Sequence, residues 1–370
     1  MNGSHLNPNP SAELDALPDD AFQARLLDGV SRTFALTIPQ LPDGLAQPVA
    51  NAYLLCRIVD TIEDEVSLDS AQKRQFCRQF SRVVNGEEPP EPLALALAPL
   101  LSVQTIPAEH ELIRVIPKVI RITHGFDPAQ REALSLCVAV MGQGMAEFQD
   151  RDLRQGVDTM AEMDSYCYYV AGVVGEMLTR LFCHYSPAIA AQREVMMKLA
   201  VSFGQGLQMT NILKDLWDDH GRGVCWLPRS VFAEVGYDLA DLRPGHNSPQ
   251  FAQGFQHLIG VAHAHLRNAL EYTLLIPAHE TGMREFCLWA LGMALLTLRK
   301  INGHLYFSTS AQVKITRRSV KTVIVGSRLT RRSDMLLKAA FYLAGRGLPA
   351  PDRSVLALAH ATPAPLNPET

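Results

Sequence analysis

The chain has 370 residues, 47% of them hydrophobic, with a formal net charge of −4 and a pI near 6.3. That is enough apolar material for a large core, and the acidic balance excludes the basic footprint that nucleic-acid binding requires. Seven scattered cysteines, none at metal-ligand spacing, predict reduced and mostly buried thiols in a cytoplasmic protein.

Residues 1–18 are polar and proline-bearing, without the basic and apolar regions of a secretory signal, and read as a disordered lead. The folded body is expected over 19–345, and the stretch 346–370, rich in Pro and Ala, reads as a tail. No apolar run reaches the roughly 20 residues that cross a bilayer, so no transmembrane helix is expected. Between the tails the apolar spacing is three and four and strand-like alternation is scarce, which predicts an all-α, single-domain helical bundle.

In chain order, Tyr53, Leu54, Ile58 and Ile62 mark a helix over 47–65, and another is expected over 130–150. Over 162–183, Tyr166, Val170, Val173, Val174, Met177 and Leu181 trace one face. Further helices are expected over 194–219, 253–275 and 284–306, with proline-bearing breaks at 86–100, at 104–107, near Pro187, after Pro228, and around Pro244 and Pro277.

The first helix ends in Arg57-Ile-Val-Asp60-Thr-Ile-Glu63-Asp64. Asp60 and Asp64 are four apart, so their carboxylates share a face, and Glu63 borders it. Like charges at that spacing repel. A Mg²⁺ ion shared with substrate phosphates would remove the repulsion; a solvated acidic helix end is the alternative. The helix over 194–219 repeats the pattern with Asp215 and Asp219, and Asn211 puts a neutral oxygen four residues earlier. Facing each other across a bundle, the two pairs would hold several Mg²⁺ ions and grip a diphosphate. Arg32, Arg57, Lys214 and Arg222 lie beside these acids. Cations there suit an anion that must leave, although taken singly each also fits ordinary surface ion pairing.

Glycines recur inside the apolar helices, at 142, 144, 172, 175, 204 and 206. Each costs about 1 kcal/mol of helix propensity, which predicts close approach of either a neighbouring helix or a long lipid chain. His263 and His265 are two apart on a helix and point to different faces, so with His257 they read as structural or solvated. A di-iron bundle would need Glu-x-x-His, which is absent. A non-catalytic lipid-binding bundle would not need two aspartate pairs flanked by cations.

Five ordered segments, SRTF (31–34), DTIED (60–64), MGQGMAEF (141–148), YCYYVAGVVGEMLTRLF (166–182) and GQGLQMTNILKDLWDD (204–219), resemble the squalene/phytoene synthase family from about Ser31 to Ser319. The resemblance implies the isoprenoid (terpenoid) synthase fold with a central cavity, and a prenyltransferase using two or three Mg²⁺ per site. It makes Asp60, Asp64, Asp215 and Asp219 the catalytic metal-binding aspartates, Glu63 and Asn211 their companions, Arg32 and Arg57 diphosphate contacts, and Tyr166 a proton-handling residue. Within the family, DTIED, GMAEF and the basic run Val313-Lys314-Ile-Thr-Arg317-Arg318 are similar to the squalene synthase branch. That branch joins two farnesyl diphosphates head to head through presqualene diphosphate and reduces the product with NADPH, here with Lys314 and Arg317 near the cofactor. The alternative is a phytoene, dehydrosqualene or presqualene diphosphate synthase without the reductive step. No G-x-G-x-x-G follows a strand, so NADPH would bind without a Rossmann unit. The resemblance also leads us to expect a monomer or weak dimer with peripheral membrane contact for product release. One departure is Val224, which stands where the family has an arginine.

Overall fold

A computed structural model describes residues 14, 16–245 and 248–358. Most of the expected lead over 1–18, and 359–370 at the other end, lie outside the described residues. Among the described residues the regular structure is helical, with one isolated bridge between Val157 and Pro228. The all-α expectation holds. The helices gather into two compact units, Met1–Asp150 and Arg151–Thr370.

The first unit contains α1 (Asp19–Val30), α2 (Arg32–Thr37), α3 (Ala46–Asp64), α4 (Ser70–Val84), α5 (Pro90–Leu97), α6 (Pro107–Arg114), α7 (Ile116–Gly125) and α8 (Pro128–Met145). Several starts are written locally. Asp69 with Gln72, and Asp127 with Gln130, form reciprocal capping boxes that satisfy the first amides of α4 and α8. Prolines read as breaks at 90 and 107 instead open α5 and α6, where the missing N–H costs nothing. The middle of the unit is α3, which packs on α1, α6, α7 and α8. Its Leu54, Leu55, Ile58 and Ile62 are fully buried, as the helical spacing predicts.

A polar pin sets the register of α3. Buried Asn51 accepts from Gln23 Nε2 of α1 at 3.0 Å and donates to Thr123 Oγ1 of α7 at 2.7 Å. A buried amide left unpaired costs about 1–3 kcal/mol, so this three-helix network admits one alignment.

The second unit contains α9 (Met160–Cys167), α10 (Val173–Tyr185), α11 (Arg193–Gly221), α12 (Arg229–Glu234), α13 (Pro249–Leu275), α14 (Thr281–Asn302), α15 (Arg317–Thr330), α16 (Asp334–Ala344) and α17 (Arg353–Leu358). The long pair α11 and α13 is its spine, with α10 on one side and α14 on the other. Here too a buried polar cluster pins the spine: Ser202 Oγ of α11 meets His265 Nδ1 at 2.8 Å and accepts from Asn268 Nδ2 at 2.8 Å. His263 is held by the carbonyl of Pro349 at 3.0 Å. Both histidines are therefore structural, as expected. The Pro/Ala-rich end is not featureless: α17 packs on α13.

The helix expected over 162–183 is divided. A π turn over Tyr168–Gly172 joins α9 to α10. It falls where the backbones come closest: a Cβ on Gly204 would lie 2.2 Å from the Ala171 carbonyl oxygen, and one on Gly175 would lie 2.3 Å from that of Ala200. The choice left open for these glycines is thus decided for helix–helix contact. Gly142, whose Cβ would sit 3.3 Å from that of Cys77, and Gly206, against His265, serve the same end. All seven cysteines are free, and six of them are buried, as the expectation of mostly buried thiols has it.

Candidate active site

In the first unit, α3 delivers its acids at its last turn. Asp60 is half-buried, its side chain 26% exposed, and faces the Arg57 guanidinium at 3.9 Å. Burial pushes the Asp60 carboxyl up to about 7; Arg57 opposes that, while Asp64, Glu109 and Glu63 push further in the same direction. Arg57 is shared between Asp60, Glu109 at 3.6 Å and the Tyr53 hydroxyl at 2.9 Å. Burial works against its charge, but Asp60 and Tyr53 hold it above the ordinary arginine value. Glu63 accepts from Gln149 Nε2, while its backbone carbonyl accepts from Lys73 Nζ. Burial also raises the Glu63 carboxyl, against the bond from Gln149. Asp64 is exposed at the end of the helix.

The residue after the motif behaves oppositely. Glu65 is buried and accepts from the amide and hydroxyl of Ser67, the amide of Ser102 and the hydroxyl of Thr105. Burial works to raise it, but these bonds hold it down to about 2. Glu65 is an anchor that ties the end of α3 to the 102–105 loop.

In the second unit, the acids end α11, and each has a partner. Asp215 pairs with Lys214 at 3.1 Å, and Lys214 also donates to Asn211 Oδ1 at 3.0 Å. Asp218 accepts from Ser310 Oγ at 2.6 Å, and buried Asp219 pairs with Arg222 at 2.6 Å. Trp217 donates to the Phe307 carbonyl at 2.6 Å. The strap from 307 to 310 is thereby sewn to the second motif, four residues before exposed Lys314 and seven before Arg317, which opens α15. Val224 contributes only its amide, to the Asp219 carbonyl at 3.0 Å.

Tyr166 on α9 lies flat on the Trp226 indole, ring centroids 3.4 Å apart and planes 11° from parallel. Two residues earlier, Asp164 has a buried Oδ1 without a hydrogen bond, and burial raises its carboxyl to about 6. Arg32 opens α2, and its side chain lies outside the described residues.

Sequence reasoning missed Glu109, Gln149, Lys73, Asp164, Ser310 and Trp226. None carries a spacing signal; each meets its partner through tertiary packing. Among the described residues no three His, Cys, Asp or Glu side chains gather tightly enough to cage a metal unaided. A Mg²⁺ site needs no such cage, because substrate phosphates and water complete it. The crowded anions around Asp60, short of one compensating cation, fit such an ion. Two surface clefts, one of about 470 Å³ lined by Pro90, Lys118 and His124 and one by Gln253, His257 and Pro349, contain none of the candidate residues.

The fold is shared with known structures. It superposes on the TcSQS complex with the ligand BPH1237 (TM-score 0.70, 23% identity, 92% of this chain and 96% of that one). It also superposes on a dehydrosqualene synthase complex (TM-score 0.61, 21% identity, 88% and 100%). The class is therefore the all-α isoprenoid synthase fold. The squalene/phytoene synthase family model matches residues 27–319, so the chain belongs to that family. Among its relatives, squalene synthase LSS of Botryococcus braunii is 30% identical over 287 residues, 76% of this chain and 58% of that protein. Squalene synthase ERG9 of Gibberella zeae is 29% identical over 298 residues, 79% and 60%. The chain thus spans under two thirds of the length of these relatives.

Proposed function

We propose that residues 19–345 form a head-to-head prenyltransferase domain that condenses two farnesyl diphosphates to presqualene diphosphate and reduces it to squalene with NADPH. The observation that carries the reading is the i, i+4 aspartate pair repeated on two pinned helices, with Asp60 pushed up to about 7 by burial and by neighbouring acids.

Asp60, Asp64, Asp215 and Asp219, with Glu63 and Asn211, would hold Mg²⁺. Bound there, Mg²⁺ supplies positive charge against a diphosphate and its leaving oxygen. Arg57 already shares its charge among Asp60, Glu109 and Tyr53, and Lys214 between Asn211 and Asp215; with Arg32 and Arg222 they steady the anionic leaving group. In the first half, the C1–O bond of one farnesyl diphosphate breaks. The alkene of the second attacks the resulting allylic cation, and a proton is lost as the cyclopropane closes. Tyr166, fixed against Trp226, is the group assigned to that proton. In the second half, the remaining diphosphate leaves and a hydride quenches the rearranged cation. Lys314 and Arg317 would hold the phosphates of NADPH, which supplies that hydride. Apolar helix faces exclude the water that would otherwise trap either cation as an alcohol.

The test is incubation of the whole chain with farnesyl diphosphate and Mg²⁺, with and without NADPH, followed by product identification. Squalene with NADPH and presqualene diphosphate without it are expected. Dehydrosqualene or phytoene in both arms would replace the reductive half. No Mg²⁺-dependent diphosphate release would overturn the proposal.

A further inference from the structure

Between Glu285 and Asp334 the chain holds nine Lys and Arg and not one Asp or Glu. The strap over 303–316, which joins α14 to α15, lies in this run and is held at three points. Trp217 Nε1 of the second motif donates to the Phe307 carbonyl at 2.6 Å, and the Phe307 ring is buried beside Phe255. Ser310 is buried and donates through Oγ to Asp218 Oδ2 at 2.6 Å. Lys300 Nζ, in the last turn of α14, donates to the Lys314 carbonyl.

Ser310 opens one helical turn, Ser310–Val313, that packs on α11, and its carbonyl accepts from the Lys314 amide at 3.0 Å. Phe307, Ser310 and Val313 recur every three residues and all are buried. Lys314 follows them and is exposed, as are Arg317, Arg318 and Lys321 at the start of α15. These four cations make no ion pair among the described residues. Asp218 stands apart from its neighbours. Asp215 and Asp219 pair with Lys214 and Arg222, whereas Asp218 meets a neutral hydroxyl. Its own side chain is exposed and water can solvate it, but the buried Ser310 hydroxyl has no such recourse if that carboxylate turns away. The bond is short and charge-assisted, the stronger kind.

We infer that the Asp218–Ser310 bond positions Lys314 and Arg317 and thereby decides how far the chain carries its product into reduction. This rests on the reading of Lys314 and Arg317 as contacts for the phosphates of NADPH. Exposed cations with no carboxylate of their own suit those phosphates. Ser310 lies one helical turn before Lys314, so its anchor sets where the ammonium and the start of α15 sit. Ser310 and Asp218 are positioning residues that act through those cations. The step they serve is the second half. There the C–O bond of presqualene diphosphate breaks with its electron pair on the departing oxygen. The rearranged cation is then reduced by hydride from NADPH, which is oxidised to NADP⁺. Condensation consumes no reductant, so a slack strap should spare it.

The experiment uses the full chain and three readouts. They are the dissociation constant of NADPH alone, followed by nicotinamide fluorescence; the rate of presqualene diphosphate formation without NADPH; and the ratio of squalene to presqualene diphosphate at subsaturating NADPH. Ser310→Ala should weaken NADPH binding about tenfold, the worth of one hydrogen bond to a carboxylate, and lower the squalene ratio by a similar factor. Its condensation rate without NADPH should match wild type. Asp218→Ala opens the same bond from the exposed side, without altering the core, and should weaken NADPH binding at least as much. The double variant should bind no more weakly than Asp218→Ala, because all three break one bond. Wild-type affinity for NADPH in both single variants would overturn the inference. So would additive losses in the double variant, or condensation by Ser310→Ala that falls as far as reduction does. A wild-type chain that makes presqualene diphosphate but neither binds NADPH nor forms squalene would overturn the reductive reading itself, and this inference with it.

Discussion

The two aspartate-bearing helices are built alike but charged differently. Each is long, each is set in register by a buried polar cluster upstream of its acids, and each ends in carboxylates four residues apart. On α11 every acid of the motif has a cation or hydroxyl partner: Lys214 for Asp215, Ser310 for Asp218, Arg222 for Asp219. On α3 a single guanidinium is divided between Asp60, Glu109 and Tyr53, while Glu63 and Asp64 add to the negative charge. The same sequence spacing thus yields one motif that is electrostatically closed and one that remains a standing demand for a cation.

The largest effect should separate the two motifs directly. Asp60→Asn and Asp215→Asn should each lower turnover by about a thousandfold, as expected for removing a preorganised electrostatic contact. Without Mg²⁺, however, Asp60→Asn should melt higher than wild type, since it removes a poorly compensated buried charge. Asp215→Asn should not, since it leaves Lys214 without its carboxylate. Thermal melts with and without Mg²⁺ check this, and identical shifts in the two variants would erase the contrast. Tyr166→Phe should cost about a hundredfold in turnover with little change in melting temperature, because the stack on Trp226 survives.

Packing gives the next contrast. Gly204→Ala drives a methyl into the Ala171 carbonyl, backbone that cannot swing aside, and should destabilise the second unit by about 3 kcal/mol. Gly142→Ala in the first unit meets a side chain at 3.3 Å and should cost less than that. Chemical denaturation of both variants measures the difference.

The smallest effect concerns pH. The pin on α3 joins Gln23, Asn51 and Thr123, none of which titrates. The pin on α11 contains His265, which burial holds down to about 4, against Asp352, which raises it slightly. A histidine with a depressed folded pKa contributes no penalty above its ordinary value near 6.5. Stability is then lost progressively as pH falls from about 6.5 to 4, by roughly 2–3 kcal/mol in total. Acid should therefore loosen the second unit before the first. Hydrogen exchange followed across that pH range reports it, and His265→Gln should flatten the dependence.

Much of the candidate site was legible in the sequence. Helical period placed Asp60 with Asp64, and Asp215 with Asp219, on shared faces, because local geometry alone sets that relation. Arg57 and Arg222 likewise reach acids three residues away on or beside their own helices. Glu109, Gln149 and Ser310 were not legible. Their partners lie 52 or more positions away in the chain, and no local pattern distinguishes them from surface polar residues. Glu65 shows the limit most sharply. It adjoins the acidic motif and reads as one more carboxylate of it, yet four donors from three other residues turn it into a buried anchor.

The sequence by itself determined the helical class, five of the six expected helices (the one over 162–183 is divided by the π turn) and the two acidic turns, because each follows from contacts within a few residues. Tertiary structure alone decided which glycines brace neighbouring helices, which acids are neutralised, and which acid ties down the strap before α15. Those outcomes depend on which distant side chain fills the space opposite, and hydrophobic period does not encode that.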